Sequence, residues 1–191
     1  MKKYLYLAYE KFTDAWVNGG KVPLYKASTY RRLERGGVYT PDENLIDTST
    51  HSIDTFLGFF PSSDNATITI GTFMTPKVNI TNAVINRRTE DGLVLCLANR
   101  RSNYIAKKLK KEACVEILDV AELKNVLDEQ IGKKGVMGNC AYTESHKRNH
   151  FLKSSLDSWQ EEYRIFWKDA DSIEVEIPKN LARRISIRGK P

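Results

Sequence analysis

The chain has 191 residues, of which 41% are hydrophobic and 28% charged, and carries a formal net charge of +6 with a pI near 9.1. That length and apolar content suit a single α+β domain spanning 1–191. No apolar run approaches the roughly 20 residues of a membrane span, and MKKYLYLAYEKF becomes charged too soon for a secretory signal, so a cytoplasmic protein without a membrane partner is expected.

In chain order, LYLAYEKFTDAWVNGG places Leu5, Ala8, Phe12 and Trp16 three and four apart before Gly19 and Gly20, which predicts an amphipathic helix. VPLYKAS then reads as a strand running into a long loop over about 31–65, with turn signals at Gly36-Gly37 and Pro41-Asp42. ATITIGTF and KVNITNAVI are rich in Thr, Ile and Val and predict a strand pair around Thr75-Pro76. LVLCLA is a further strand, and SNYIAKKLKKE a short basic helix capped by Ser102 with Ile105 and Leu109 turned inward. CVEILD is a strand. DVAELKNVLDEQIG opens with Asp119 and Glu122 in capping-box spacing, and Leu123, Val126, Leu127 and Ile131 mark one helical face. VMGNCAY, EEYRIFW, IEVEI and RISI complete a mixed, mainly antiparallel core with about three helices.

Cys96, Cys114 and Cys140 lie in apolar strand-like stretches without C-x-x-C spacing, so reduced core thiols are expected, with no metal and no disulfide. His146 and His150 are four apart but have no acidic or cysteine partner at ligand spacing. The positive charge is clustered, at Arg31–Arg35, at Arg100 and Arg101, over Lys107–Lys111, and at Lys147 and Arg148. Such clusters favour a polyanion, RNA or DNA, with Arg100, Arg101, Lys107, Lys108, Lys147, Arg148 and Lys153 as candidate contacts.

The chemically suggestive stretch is WQEEYRIFW. Read as one strand, it sets Gln160, Glu162, Arg164 and Phe166 on one face and Glu161, Tyr163, Ile165 and Trp167 on the other. A row of polar groups on one face is costly to bury unless each finds a partner or the face lines a cleft. The bland alternative is an ion pair of Glu162 with Arg164 at a strand edge.

The tail CAYTESHKRNHFLKSSLDSWQEEYRIFW resembles the C-terminal signature of a broad family of uncharacterised bacterial and phage proteins. In these, an F-x-K-S segment precedes a W-x-x-E strand with an aromatic and an arginine. LYKASTYRRLERGGVYTPDENLID resembles that family's N-terminal part. The [EQ]-x-E strand also resembles the catalytic strand of ADP-ribosyltransferases, whose split, mixed β core clasps NAD. The resemblance implies NAD as substrate and a toxin or phage-defence role. It implies that Glu162 stabilises positive charge developing on the ribose and that Gln160 orients the nucleophile. It further implies Arg31 or Arg32 at the phosphate or ribose, Tyr25 or Tyr30 stacked on nicotinamide, and Ser28 nearby. Where many such enzymes have a Ser-Thr-Ser-like strand bracing the glutamate, this chain reads Cys96-Leu97-Ala98-Asn99, so the resemblance implies a brace that is either missing or supplied by Asn99, Ser102 or Ser154.

Three functions follow as expectations. One is an ADP-ribosyltransferase acting on a nucleic acid or another macromolecule. The others are a catalytically silent nucleic-acid or nucleotide-binding module and a protein-interaction inhibitor.

Overall fold

The computed structural model describes residues 1–32, 47–51, 66–70, 83–87, 91–144 and 149–187. The fold is α+β and mainly antiparallel, with four α-helices and two short 3₁₀ turns among the described residues rather than three helices. The main sheet has six strands: β1 (Lys3–Leu7), β6 (Gly92–Ala98), β7 (Ala113–Ile117), β8 (Val136–Asn139), β11 (Glu162–Lys168) and β13 (Ala182–Ile185). Their spatial order is β13-β7-β1-β6-β11-β8. β2 (Gly20–Leu24) pairs with β12 (Ile173–Ile177), and β3 (Asp47–His51), β4 (Ala66–Ile70) and β5 (Ala83–Arg87) form a separate antiparallel sheet. The stretch read as loop over 31–65 therefore contains a strand, and β4 pairs with β5 on either side of Pro76, residues 77–82 of the expected second strand lying outside the described residues.

The start of the chain is the main departure from the sequence reading. Lys3–Leu7 is a strand, followed by a 3₁₀ turn at Glu10–Phe12 and only then by the five-residue helix α1 (Thr13–Val17). β1 is central, with Leu5 in the main core and Tyr6 in a second cluster on the opposite face. Apolar residues on both faces erase the alternation that marks a strand and leave helical spacings by coincidence. VPLYKAS likewise divides. Its first half ends β2, and Ala27–Arg32 form α2, whose Ser28 amide and hydroxyl both donate to Asp91 at 3.1 and 2.6 Å.

Elsewhere local chemistry and structure agree. The Ser102 hydroxyl accepts from the Ile105 amide at the start of α3 (Asn103–Lys108). The Asp119 carboxylate accepts from Ala121 at the start of α4 (Val120–Ile131), and Gly132 ends that helix in the left-handed conformation at φ 71°. From α4, Leu123 and Leu127 are fully buried in the core that also holds Tyr163, Ile165 and Trp167. Each such side chain contributes roughly 1.5–3 kcal/mol of burial. This face fixes β11, so the opposite face of the same strand is free to carry polar groups.

One ladder in the sheet is nearly absent. β1 pairs with β7 along its whole length, from Lys3 with Ile117 to Leu7 with Ala113, but meets β6 only at Tyr4 with Ala98. β6 in turn pairs with all seven residues of β11. Beyond Tyr4 the two central strands separate, and a cleft of about 510 Å³ opens, bordered by Leu5–Leu7 on one side and Leu95–Leu97 on the other. No described helix is long and apolar enough to cross a membrane.

Candidate functional site

The cleft floor is polar because β11 turns Glu162 and Arg164 into it while Tyr163, Ile165 and Trp167 enter the core. The exposures are 6% for Glu162, 1% for Arg164 and 3% for Lys153, so three charged groups are buried together. Glu162 Oε2 accepts from Lys153 Nζ at 2.8 Å and from Arg164 Nη2 at 3.0 Å. Lys153 Nζ also donates to Gln160 Oε1 at 2.8 Å, and Gln160 Nε2 donates to Asp157 Oδ1 at 3.1 Å. Arg164 Nη1 donates to the His150 carbonyl at 3.0 Å, and the Glu162 amide donates to the Tyr142 hydroxyl at 2.9 Å. A chain of hydrogen bonds thus runs from Asp157 through Gln160, Lys153 and Glu162 to Arg164.

Backbone geometry assembles this chain. β9 (Ala141–Thr143) and β10 (Leu152–Ser154) pair in parallel with Lys153 beside Tyr142, which delivers both side chains to the beginning of β11. Ser155–Gln160 form a 3₁₀ turn, and Glu161 follows in the left-handed region at φ 45°, ψ 53°. Gln160 therefore does not lie on the strand, as the alternation had it. It converges on Glu162 from the preceding turn, with Lys153 as the shared donor. The strand starts at Glu162, and from there the facing read from the sequence holds.

Burial pushes the Glu162 carboxyl up, but Arg164 and Lys153 outweigh it and hold the group down at about 2, against an ordinary 4.5. Glu162 is therefore ionised at neutral pH, and its lowered value makes the fold acid-labile. The stabilisation is fully present above pH 4.5 and is lost as pH falls from 4.5 through about 2. Urea titrations across that window are expected to show the midpoint falling with pH, with a shallower fall in Glu162→Gln.

The other residues singled out in the sequence are dispersed. Tyr30 lines the cleft and meets Tyr25 edge to face at 6.2 Å, while Tyr25 is 42% exposed. The Ser28 hydroxyl donates to Asp91, whose carboxylate also accepts the Ser28 amide in the first turn of α2. Arg31 and Arg32 close α2, and their side chains lie outside the described part. Asn99 does not brace the glutamate. Its side chain accepts from Lys3 Nζ, and its amide donates to the Glu161 carbonyl. Ser102 and Ser154 are spent on caps.

Among the basic candidates, Lys153 is corrected from a nucleic-acid contact to a buried member of the cleft cluster. Arg100 pairs with Glu161 at 2.6 Å, Arg101 donates to the Ser186 carbonyl, and Lys107 and Lys108 are exposed on α3. Lys147 and Arg148 lie outside the described residues.

Two further groups line the cleft, Cys96, which the sequence places in the core, and His150, which it weighs only as a metal ligand. Cys96 is exposed, unlike the buried Cys114 and Cys140, because it stands opposite Arg164 in the β6–β11 ladder and faces the cleft, where its thiol hydrogen-bonds Glu162. His150 is buried with its ring stacked on Phe166, centroids 3.8 Å apart. Only the strand pairing brings Cys96 to Arg164, and that is not local information. Among the described residues no group of three or more His, Cys, Asp or Glu side chains is arranged to hold a metal ion. Comparisons with protein-family models, with curated proteins and with solved structures find no match for this chain.

Proposed function

We propose that the cleft binds NAD and that the protein is an ADP-ribosyltransferase whose acceptor is a nucleic acid or another macromolecule. The observation that carries this reading is Glu162, kept ionised on the floor of a cavity of about 510 Å³ by Lys153 and Arg164. In the reaction the bond between nicotinamide nitrogen and ribose C1′ breaks, and its electron pair leaves with nicotinamide. An acceptor oxygen or nitrogen then forms the new bond to C1′. Glu162 stabilises the positive charge on the ribose as it develops. A carboxyl held at about 2 does not take the acceptor's proton at neutral pH, so that proton passes to water. Gln160, fixed through Lys153, orients the nucleophile, and Tyr30 offers an aromatic wall for the nicotinamide.

A second reading has its own support. Both cations bind the same Glu162 oxygen in a nearly closed environment, which suits a structural ion network beneath a silent nucleotide-binding cleft. Calorimetric titration of NAD, followed by nicotinamide release from wild type and Glu162→Gln, separates the two. Release by wild type alone supports the transferase. NAD binding with no release supports the silent module, and absence of binding at millimolar NAD removes the transferase.

A further inference from the structure

Outside the cleft, one surface sets an exposed aromatic ring and several cations beside Trp159, which is partly buried against the cluster of Tyr6 and Ile105. Tyr104 and Trp159 stand edge to face with ring centroids 6.2 Å apart. The Lys108 ammonium lies 4.0 Å from the centre of the Trp159 ring and 5.7 Å from that of Tyr104. Tyr104 is 58% exposed, on a helix whose inward face is already filled by Ile105 and Ala106. Lys107 is exposed beside it, and Arg101 lies two residues before α3. The Tyr6 hydroxyl accepts from the Ser102 amide and donates to the Arg100 carbonyl, so the turn carrying both arginines is pinned to β1.

We propose that this surface binds single-stranded nucleic acid, with bases stacked on Tyr104 and Trp159 and phosphates along Lys107, Lys108 and Arg101. Unpaired bases offer the flat faces that such rings take up, whereas a duplex keeps them stacked internally. An acidic polypeptide would satisfy the lysines but leave the exposed Tyr104 ring without a role. The surface also adjoins the cleft: Ile105 of α3 and Leu109, which directly follows the helix, line the cavity, and Gln160 directly follows Trp159. That the bound strand presents the acceptor atom to the cleft rests on the transferase reading, while the binding itself does not.

The protein supplies its own reporter. Of its three tryptophans, Trp16 and Trp167 are 4% and 0% exposed, so a base stacking on Trp159 is read as quenching of intrinsic fluorescence. An oligothymidylate of about twelve nucleotides is titrated without NAD. Saturable quenching that weakens with salt is expected, with affinity about ten-fold lower in Tyr104→Ala. The double variant Lys107→Glu/Lys108→Glu is expected to flatten the logarithmic salt slope by about 1.4. Trp159→Phe should retain binding by fluorescence anisotropy while losing the quench. Each variant is first checked for an unchanged melting temperature. The proposal is overturned if neither signal changes at low salt, if Tyr104→Ala binds as wild type, or if a duplex or polyglutamate binds equally well. NAD binding without the quench defeats only this surface, and the quench without NAD binding defeats only the transferase reading.

Discussion

Glu162→Gln is expected to lower folding stability by about 3–5 kcal/mol, because it leaves the buried Lys153 and Arg164 without their counter-charge. Nicotinamide release should fall by about 10²–10³, the cost of removing one preorganised electrostatic group from a transition state. The two losses have different origins, and a further variant separates them. Replacing the trio together, Lys153→Met with Glu162→Leu and Arg164→Met, removes all three charges while keeping comparable side-chain volume. Such replacements of buried ion networks are often neutral or stabilising. If the trio variant melts like wild type and still releases nicotinamide, Glu162 has no part in the chemistry. If it folds but binds NAD without cleaving it, the charge itself is the catalytic element. Denaturant melts and a nicotinamide assay on the same three proteins decide the matter.

The polar face of β11 was legible because alternation fixes facing once a strand begins. Arg164 and Phe166 follow from Glu162, and Tyr163, Ile165 and Trp167 from the opposite face. Gln160 was assigned to the same row because nothing local announces that Glu161 adopts a left-handed backbone, an uncommon state for a residue other than glycine. The caps at Ser102 and Asp119 were legible for the reverse reason, since their partners lie within three residues. Lys153 shows the limit of composition. Charge alone placed it on the basic surface, yet the parallel pairing of β10 with β9 carries it inward to Glu162. Cys96 was invisible in the same way, for its exposure depends on β1 parting from β6 after a single pair. What the sequence hides is therefore long-range pairing, and that pairing assembles the candidate site.

Asp128→Ala is expected to be the most damaging change outside the cleft, at about 3–5 kcal/mol. The Asp128 carboxylate lies in the last turn of α4 and ties three elements together. Oδ1 accepts from the Trp167 indole at 2.7 Å and from the Gly135 amide at 2.9 Å, and Oδ2 accepts from Lys124 Nζ at 2.6 Å. Burial pushes its pKa up, but Lys124, the Gly135 amide and the indole outweigh this and hold it below the ordinary aspartate value. The turn has no room to adjust, since a Cβ on Gly135 would come within 2.6 Å of the indole nitrogen. Asp128→Asn keeps an oxygen for the indole and the amide but loses the charge that pairs with Lys124, so it should cost about 1–2 kcal/mol. Trp167 lies on the same strand as Glu162 and Arg164, on the opposite face. Loosening it in Asp128→Ala is therefore expected to weaken NAD binding although Asp128 does not line the cleft. Urea melts of the two variants against wild type, with NAD titrations on each, test that transmission. An alanine variant that is destabilised as expected yet binds NAD as wild type would show that the core face of β11 does not set the geometry of its polar face.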